Sequence, residues 1–333
     1  VATHLRTDHT ELYVSPEESL AIIPKLPSIY DEPFSDSSQI PTFLISQLAR
    51  RHVTVSLSGD GGDELFCGYN RYLFTEKVWS WISVLPLALR KLASSVINSL
   101  PIKLWDFGLS NVGLFLPRSL RQSNYGDKLL KVAGVIDARS ADDLYLKMVS
   151  HCNAPSLEVL GDSAELGTLL SSNVPKLDSL NRVQKMMALD LMTYLPDDIL
   201  TKIDRAAMAV SLETRVPFLD HRVAEFAWKL PMSMKIRKGQ SKWIMREVLH
   251  KYVPKELIER PKMGFGIPLG SWLRGNLRDW AESLLDESRL RNEGFLNPKP
   301  IRQKWAEHLS GKRNWQYQLW DALMFQAWVE MHH

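Results

Sequence analysis

Apolar residues along this chain change their spacing once. Val53 to Leu57 is a β-branched run, Val-Thr-Val-Ser-Leu, and predicts a buried strand. Leu12-Tyr13-Val14 is a shorter strand candidate. Pro16 to Leu26 predicts a helix behind a Ser15-Pro16 start signal, and Pro41 to Arg51 predicts another with proline at its start. Two strands alternating with helices fit part of a parallel α/β sheet. After Gly68 the strand signals mostly disappear. From about 70 to 330 the apolar residues recur at three and four, as in Leu195, Ile199, Ile203, Ala206 and Ala207. That half is predicted to be helical. No internal repeat is evident.

Val78 to Leu100 is the most apolar window, but Pro86, Arg90 and Lys91 interrupt it. A membrane span needs roughly 20 clean residues, so a buried or amphipathic helix is predicted, with a membrane-surface helix as the alternative. The chain of 333 residues is 45% hydrophobic, enough for one large core or two modest ones. Its 41 basic and 38 acidic residues leave a net charge of +3. That balance argues against a nucleic-acid or membrane partner. The two cysteines, Cys67 and Cys152, match no zinc or disulfide spacing and point to a reducing, cytoplasmic setting. No histidine pair has metal spacing, and the 11 tryptophans are expected to be core anchors.

The chemistry concentrates in Ser58-Gly59-Asp60-Gly61-Gly62-Asp63-Glu64-Leu65-Phe66. Glycines here allow a tight turn with φ > 0. Strand, glycine turn and helix start together aim backbone N–H groups at an anion. Asp60, Asp63 and Glu64 would repel a bare phosphate, unless Mg²⁺ bridges or a carboxylate removes a proton. The plain alternative is an acidic surface turn capped by Asp63. The alternating ligands of an EF-hand are absent. Glu64 is expected to act as a helix-dipole partner.

This string closely resembles the second nucleotide-binding loop of the glutamine-dependent asparagine synthetase family. Further blocks resemble the same family in the same order: Asp31-Glu32-Pro33-Phe34-Ser35-Asp36-Ser37-Ser38, Tyr194 to Arg205, Ser211 to Asp220, and Arg260-Pro261-Lys262-Met263-Gly264-Phe265. The resemblance implies an α/β fold, the remnant of a parallel-sheet ATP-pyrophosphatase domain, with a mostly helical C-terminal half. It divides the chain into 1–75 (nucleotide-binding part), 76–180 (a variable helical segment) and 181–333 (the helical synthetase part). Residue 1 is Val where the family has a nucleophilic cysteine, and the family's Ser-Gly-Gly-x-Asp-Ser loop is not in these residues. The N-terminal glutaminase domain is therefore expected to lie outside this stretch, and the stretch alone is expected to be inactive.

The resemblance also implies roles. Ser58 and Gly59 contact ATP, Asp63 ligates Mg²⁺, and Asp60 serves as base or substrate contact. Lys202 and Arg205 lie three apart on one helix face, with Asp198 four before Lys202. They form either a solvated ion-pair row or a cationic wall facing the phosphates. Glu213 and Arg215 precede an apolar segment and are expected to be partly buried, as a structural network or with Glu213 as a catalytic residue. Lys262 would offset the charge that grows as pyrophosphate leaves. Arg260 and Lys242 are weaker candidates.

The implied function is adenylation of the aspartate side chain by ATP, then amidation by ammonia from glutamine. The alternatives are a relative acting on another substrate (β-lactam synthetases, peptide cyclases, amidotransferases of cell-surface sugar biosynthesis) or a degenerate binding domain. The expected partners are these small molecules and the glutaminase domain, with a homodimer left open.

Overall fold

A computed structural model of the protein describes residues 1–99, 105, 125–152, 154–161, 177, 179–259 and 266–332. The chain divides into two units, Val1–Leu73 with Gly167–Ile267 and Phe74–Leu166 with Pro268–Met331.

In the first unit the β-branched run forms a strand, Val55–Leu57 (β1), parallel to Glu213–Arg215 (β2). Val55 faces Glu213 across the pair, and Leu57 faces Arg215. The prediction of a buried strand fails here. Alternation along a strand turns Ser56 inward and Val55 and Leu57 outward, and Leu57 is 73% exposed. The Leu12–Val14 strand is likewise not formed: the segment is irregular, with no ladder partner, and Tyr13 is exposed.

Gln39–Arg50 (α1) precedes β1, two residues earlier in start than its proline suggests. The helix expected over Pro16 to Leu26 is shorter. Ser15 closes a capping box with Glu18 and starts a helix at Pro16, but it ends at Leu20. Pro24, which has no N–H to continue the ladder, then sits in a 3₁₀ turn, Ile23–Lys25.

After β1 comes a single helical turn, Gly62–Leu65 (α2). Arg182–Met192 (α3) leads into a π-helical turn, Leu195–Leu200, and then Thr201–Met208 (α4). Ala206 and Ala207 are fully buried, and their small side chains let α4 pack against α1. His221–Lys229 (α5) and α3 both pack on α2. Leu65, Phe66 and Ala227 form the core at that junction, with Leu191, Phe218, Leu219, Trp228 and Ile244 around them. Trp243–Leu249 (α6) follows.

The second unit is mainly helical in its described residues, with one isolated antiparallel bridge between Val159 and Leu296. Leu87–Ser99 packs on Tyr125–Ile136, which packs on Ala141–Val149. Ile82, Val135, Ala138 and Leu144 form its first core. Leu273, Leu284, Leu290, Trp305, Trp320 and Leu323 are buried in its C-terminal part, so these two tryptophans are core anchors as expected, whereas Trp81 is exposed. No single helix among the described residues is long and apolar enough to cross a membrane.

Candidate functional site

The end of β1 is fixed first. Ser58 N–H donates to the Arg215 carbonyl at 2.8 Å, which extends the parallel ladder into the turn. The Ser58 hydroxyl donates to the Asp60 carboxylate, and the Asp60 N–H returns to Ser58 Oγ at 3.3 Å. Gly61 then takes φ +78° and begins α2. A Cβ there would sit 2.6 Å from Leu219 Cδ2, so both the backbone angle and the packing demand glycine. Because Gly61 is the capping residue and makes no side-chain cap, Asp63 is not the cap of this turn.

Asp63 faces inward instead. Its Oδ1 lies 2.9 Å from Lys242 Nζ. The chain closes behind it with Gly68 N–H on the Asp63 carbonyl at 2.7 Å. A side chain at Gly68 would collide with both Asp63 and Lys242. Lys242 itself adopts φ +54° at the start of α6. A bulky residue in the left-handed region carries strain of order 1 kcal/mol or more, and such strain clusters at functional positions. Sequence reading ranked Lys242 low, since a lone loop lysine carries no pattern of its own. Its backbone angle and partner are visible only in three dimensions.

Asp60 is half-buried, and burial raises its pKa; Lys202 and Lys242 pull it back down, while Asp63 adds to the rise. Three charged side chains thus act on Asp60 at this elbow. Glu64 is 1% exposed and accepts the Tyr69 hydroxyl at 2.6 Å. It is a buried, hydrogen-bonded carboxylate whose pKa is raised by that burial. It stands in the first turn of α2, the position expected of a helix-dipole partner, with its side chain buried.

Arg71, just past the elbow, lies between two tyrosine rings, 4.1 Å from the Tyr69 centroid and 4.5 Å from that of Tyr194. Its guanidinium pairs with the fully buried Asp190 at 2.7 Å, and the Tyr72 hydroxyl donates to the same carboxylate. This tie holds the segment after the elbow against α3.

Lys202 and Arg205 share a face of α4, and the loop before α1 answers both. Lys202 Nζ is 2.5 Å from Asp36 and 4.0 Å from Asp198. Arg205 is 3.0 Å from Asp31. Lys202 is buried while Arg205 is half exposed. Burial works against the charge on Asp36, but Lys202 and two Ser38 hydrogen bonds hold its pKa below the usual carboxylate range. The Asp31–Asp36 loop and the central helix, two of the sequence blocks, therefore meet through ion pairs.

Glu213 and Arg215 differ from expectation. Both are exposed and pair with each other at 2.7 Å across one outward face of β2. Period-2 alternation places them there, since Thr214 takes the inward position. In register Glu213 stands beside Val55, at the start of β1, whereas the elbow leaves the other end. Gly59 is exposed at the turn. Lys262 and Arg260 lie outside the described residues. No group of three or more His, Cys, Asp or Glu side chains able to hold a metal occurs among the described residues.

A family model described as asparagine synthase matches residues 1–330. Asparagine synthetase [glutamine-hydrolyzing] 1 of Bacillus subtilis is 28% identical over 327 residues, covering 98% of this chain and 48% of the relative. A putative asparagine synthetase [glutamine-hydrolyzing] of Mycobacterium bovis is 32% identical over 321 residues, covering 96% and 46%. The human asparagine synthetase [glutamine-hydrolyzing] is 33% identical over 135 residues, covering 36% and 24%. The chain spans about half the length of the first two of these relatives.

Proposed function

The chain belongs to the asparagine synthase family, and from that premise we propose that it is the synthetase part of a glutamine-hydrolysing asparagine synthetase with an ATP-pyrophosphatase-like nucleotide domain. The observation that carries this reading is the pairing of Asp63 with Lys242 beside Asp60, on a glycine elbow at the end of a parallel strand. Nucleotides bind beyond the carboxyl ends of such strands.

The reaction begins with an aspartate side-chain carboxylate attacking the α-phosphorus of ATP. Pyrophosphate leaves and an acyl-adenylate remains. Ammonia released from glutamine then attacks the acyl carbon, and AMP departs. A carboxylate is a poor acyl donor because it is an anion without a good leaving group, and adenylation supplies one.

Ser58 and Gly59 line the nucleotide at the strand end, with Lys202 and Arg205 as the cationic side. Lys242 and Lys262 offset the negative charge that grows on departing pyrophosphate. Asp60, with its pKa raised by burial, suits the uptake of the proton that ammonia loses. Glu213 is the second carboxylate assigned to the reaction by family resemblance. Mg²⁺ would neutralise phosphate charge when bound, and Asp63 is the carboxylate of this chain that would hold it. Such a sparse donor set fits an ion that draws its other ligands from phosphates and water. The protein is expected to work in the reducing cytoplasm.

The test is a pyrophosphate-release assay on the full-length protein with ATP, aspartate and either glutamine or ammonium. Equal yields of pyrophosphate and asparagine support the reading. Pyrophosphate release only with another acceptor moves it to a related amide-forming ligase. No nucleotide turnover with any acceptor leaves a binding domain. Lys262→Ala is expected to abolish pyrophosphate release while glutamine hydrolysis continues.

A further inference from the structure

Helices Asn70–Ile82 and Leu87–Ser99 are jointly apolar enough to rank by length and composition as a broken membrane span, but they meet at a bend of 113°. The bend is built in. Arg90 is buried and donates to the carbonyl of Leu85 at 3.1 Å, of Ile136 at 3.2 Å and of Ala138 at 2.5 Å. Ser94 Oγ adds a bond to the Ala133 carbonyl at 2.7 Å. One face of the second helix is thereby held inward, and the opposite face has no partner among the described residues.

That opposite face is apolar. Leu85, Leu89, Leu92 and Val96 follow one another at helical spacing, and all are exposed. At the bend, Trp81 is 67% exposed and Val84 is 80% exposed, while Leu92 is 62% exposed farther along. A contiguous stripe of this kind marks an interaction surface, unlike single exposed leucines.

Its charge selects the occupant. Residues 70–99 carry four cations (Arg71, Lys77, Arg90, Lys91) against one carboxylate (Glu76), a local excess that the near-balanced charge of the whole chain hides. Arg71 and Arg90 are consumed by internal partners. Lys77 and Lys91 remain exposed beside the stripe, and Lys77 Nζ lies 5.2 Å from the Trp81 ring centroid. An isologous contact between two copies would bring these lysines toward their own counterparts. An anionic bilayer surface instead takes the leucines into its acyl boundary, the tryptophan at its headgroups and the lysines against its phosphates.

We propose that the bent pair Asn70–Ile82 and Leu87–Ser99 is a peripheral docking surface for anionic lipid bilayers, inserted through Trp81, Val84, Leu85, Leu89 and Leu92 and flanked by Lys77 and Lys91. Sedimentation with vesicles tests it, comparing phosphatidylcholine alone with phosphatidylcholine containing about a third phosphatidylglycerol. The protein is expected to pellet with the anionic vesicles and to be released by salt. The double variant Leu89→Asp, Leu92→Asp is expected to lose binding. The double variant Lys77→Gln, Lys91→Gln, which leaves every apolar side chain in place, is expected to bind about thirtyfold more weakly, the factor that roughly 2 kcal/mol for two surface cations gives. Absence of pelleting with either vesicle overturns the proposal, as does equal pelleting of wild type and the Asp variant. A dimer in light scattering that the Asp substitutions dissociate also overturns it, by assigning the face to a second copy.

Discussion

Lys242 Nζ lies 2.9 Å from Asp63 Oδ1, across 179 positions of sequence and at a lysine whose φ is +54°. Two parts of the chain far apart in sequence meet in this pair at the point where β1 ends. Lys242→Ala is expected to reduce pyrophosphate release about a hundredfold or more, in the range found when one preorganised charge-stabilising group is lost. Lys242→Gly relieves the backbone angle but removes the cation. It is expected to gain stability and remain as slow, and a Lys242→Gly variant with wild-type turnover would show that the ammonium is dispensable.

Gly61→Ala must suffer twice. The alanine takes an unfavourable φ of +78°, and its Cβ meets Leu219 at 2.6 Å. A loss of about 2–4 kcal/mol is expected from strain and overpacking together. Urea denaturation measures it. Leu219→Ala in the same chain should recover only the packing share, leaving the backbone share in place.

Asp36→Ala leaves Lys202 buried, with Asp198 at 4.0 Å. An uncompensated ammonium makes this costlier than a surface pair, and about 1–3 kcal/mol is expected. A double-mutant cycle with Lys202→Met should give a coupling energy of the same sign. Simple additivity would mean that the loop and the central helix are held together by other contacts.

His308 supplies a pH dependence. It is fully buried, Nδ1 accepts the Trp315 N–H at 3.2 Å, and Nε2 donates to the Gly270 carbonyl at 3.2 Å. Burial first, and the Arg274 charge second, lower its pKa to about 4. The unfolded chain therefore binds the proton more tightly. Stability from this group is complete above pH about 6.5 and drains away as the pH falls toward about 4, by roughly 3 kcal/mol. Melting temperatures across that range check it, and His308→Gln should flatten the slope.

Local chemistry was readable in the sequence where one short segment decides the outcome. Gly61 takes the positive φ that the glycine string demanded, Ser15 and Glu18 close their capping box, and Trp305 and Trp320 sit in the core. Outcomes set by distant partners were not readable. Nothing in Val53 to Leu57 foretells that its ladder partner among the described residues is β2, or that Val55 and Leu57 turn outward. The ion pairs Lys202–Asp36 and Arg205–Asp31 join residues far apart in sequence. The spacing of Lys202 and Arg205 predicted their shared face but not what fills it. The π turn at Leu195–Leu200 keeps the helical spacing of apolar residues nearly intact, so periodicity alone reads it as ordinary helix. Glu213 and Arg215 were expected to be partly buried because of the apolar residues that follow them. The alternation of β2 decides otherwise.

The pairing of Val55 with Glu213 has a cost during synthesis. At ordinary ribosome speeds, roughly 8–30 s pass between the emergence of the first partner and that of the second. Throughout that interval the amides that β2 will pair stand unpaired, an open strand edge that invites misassembly and chaperone capture. Slowing translation between these two codons should therefore lower the soluble yield more than the same pause placed after residue 215.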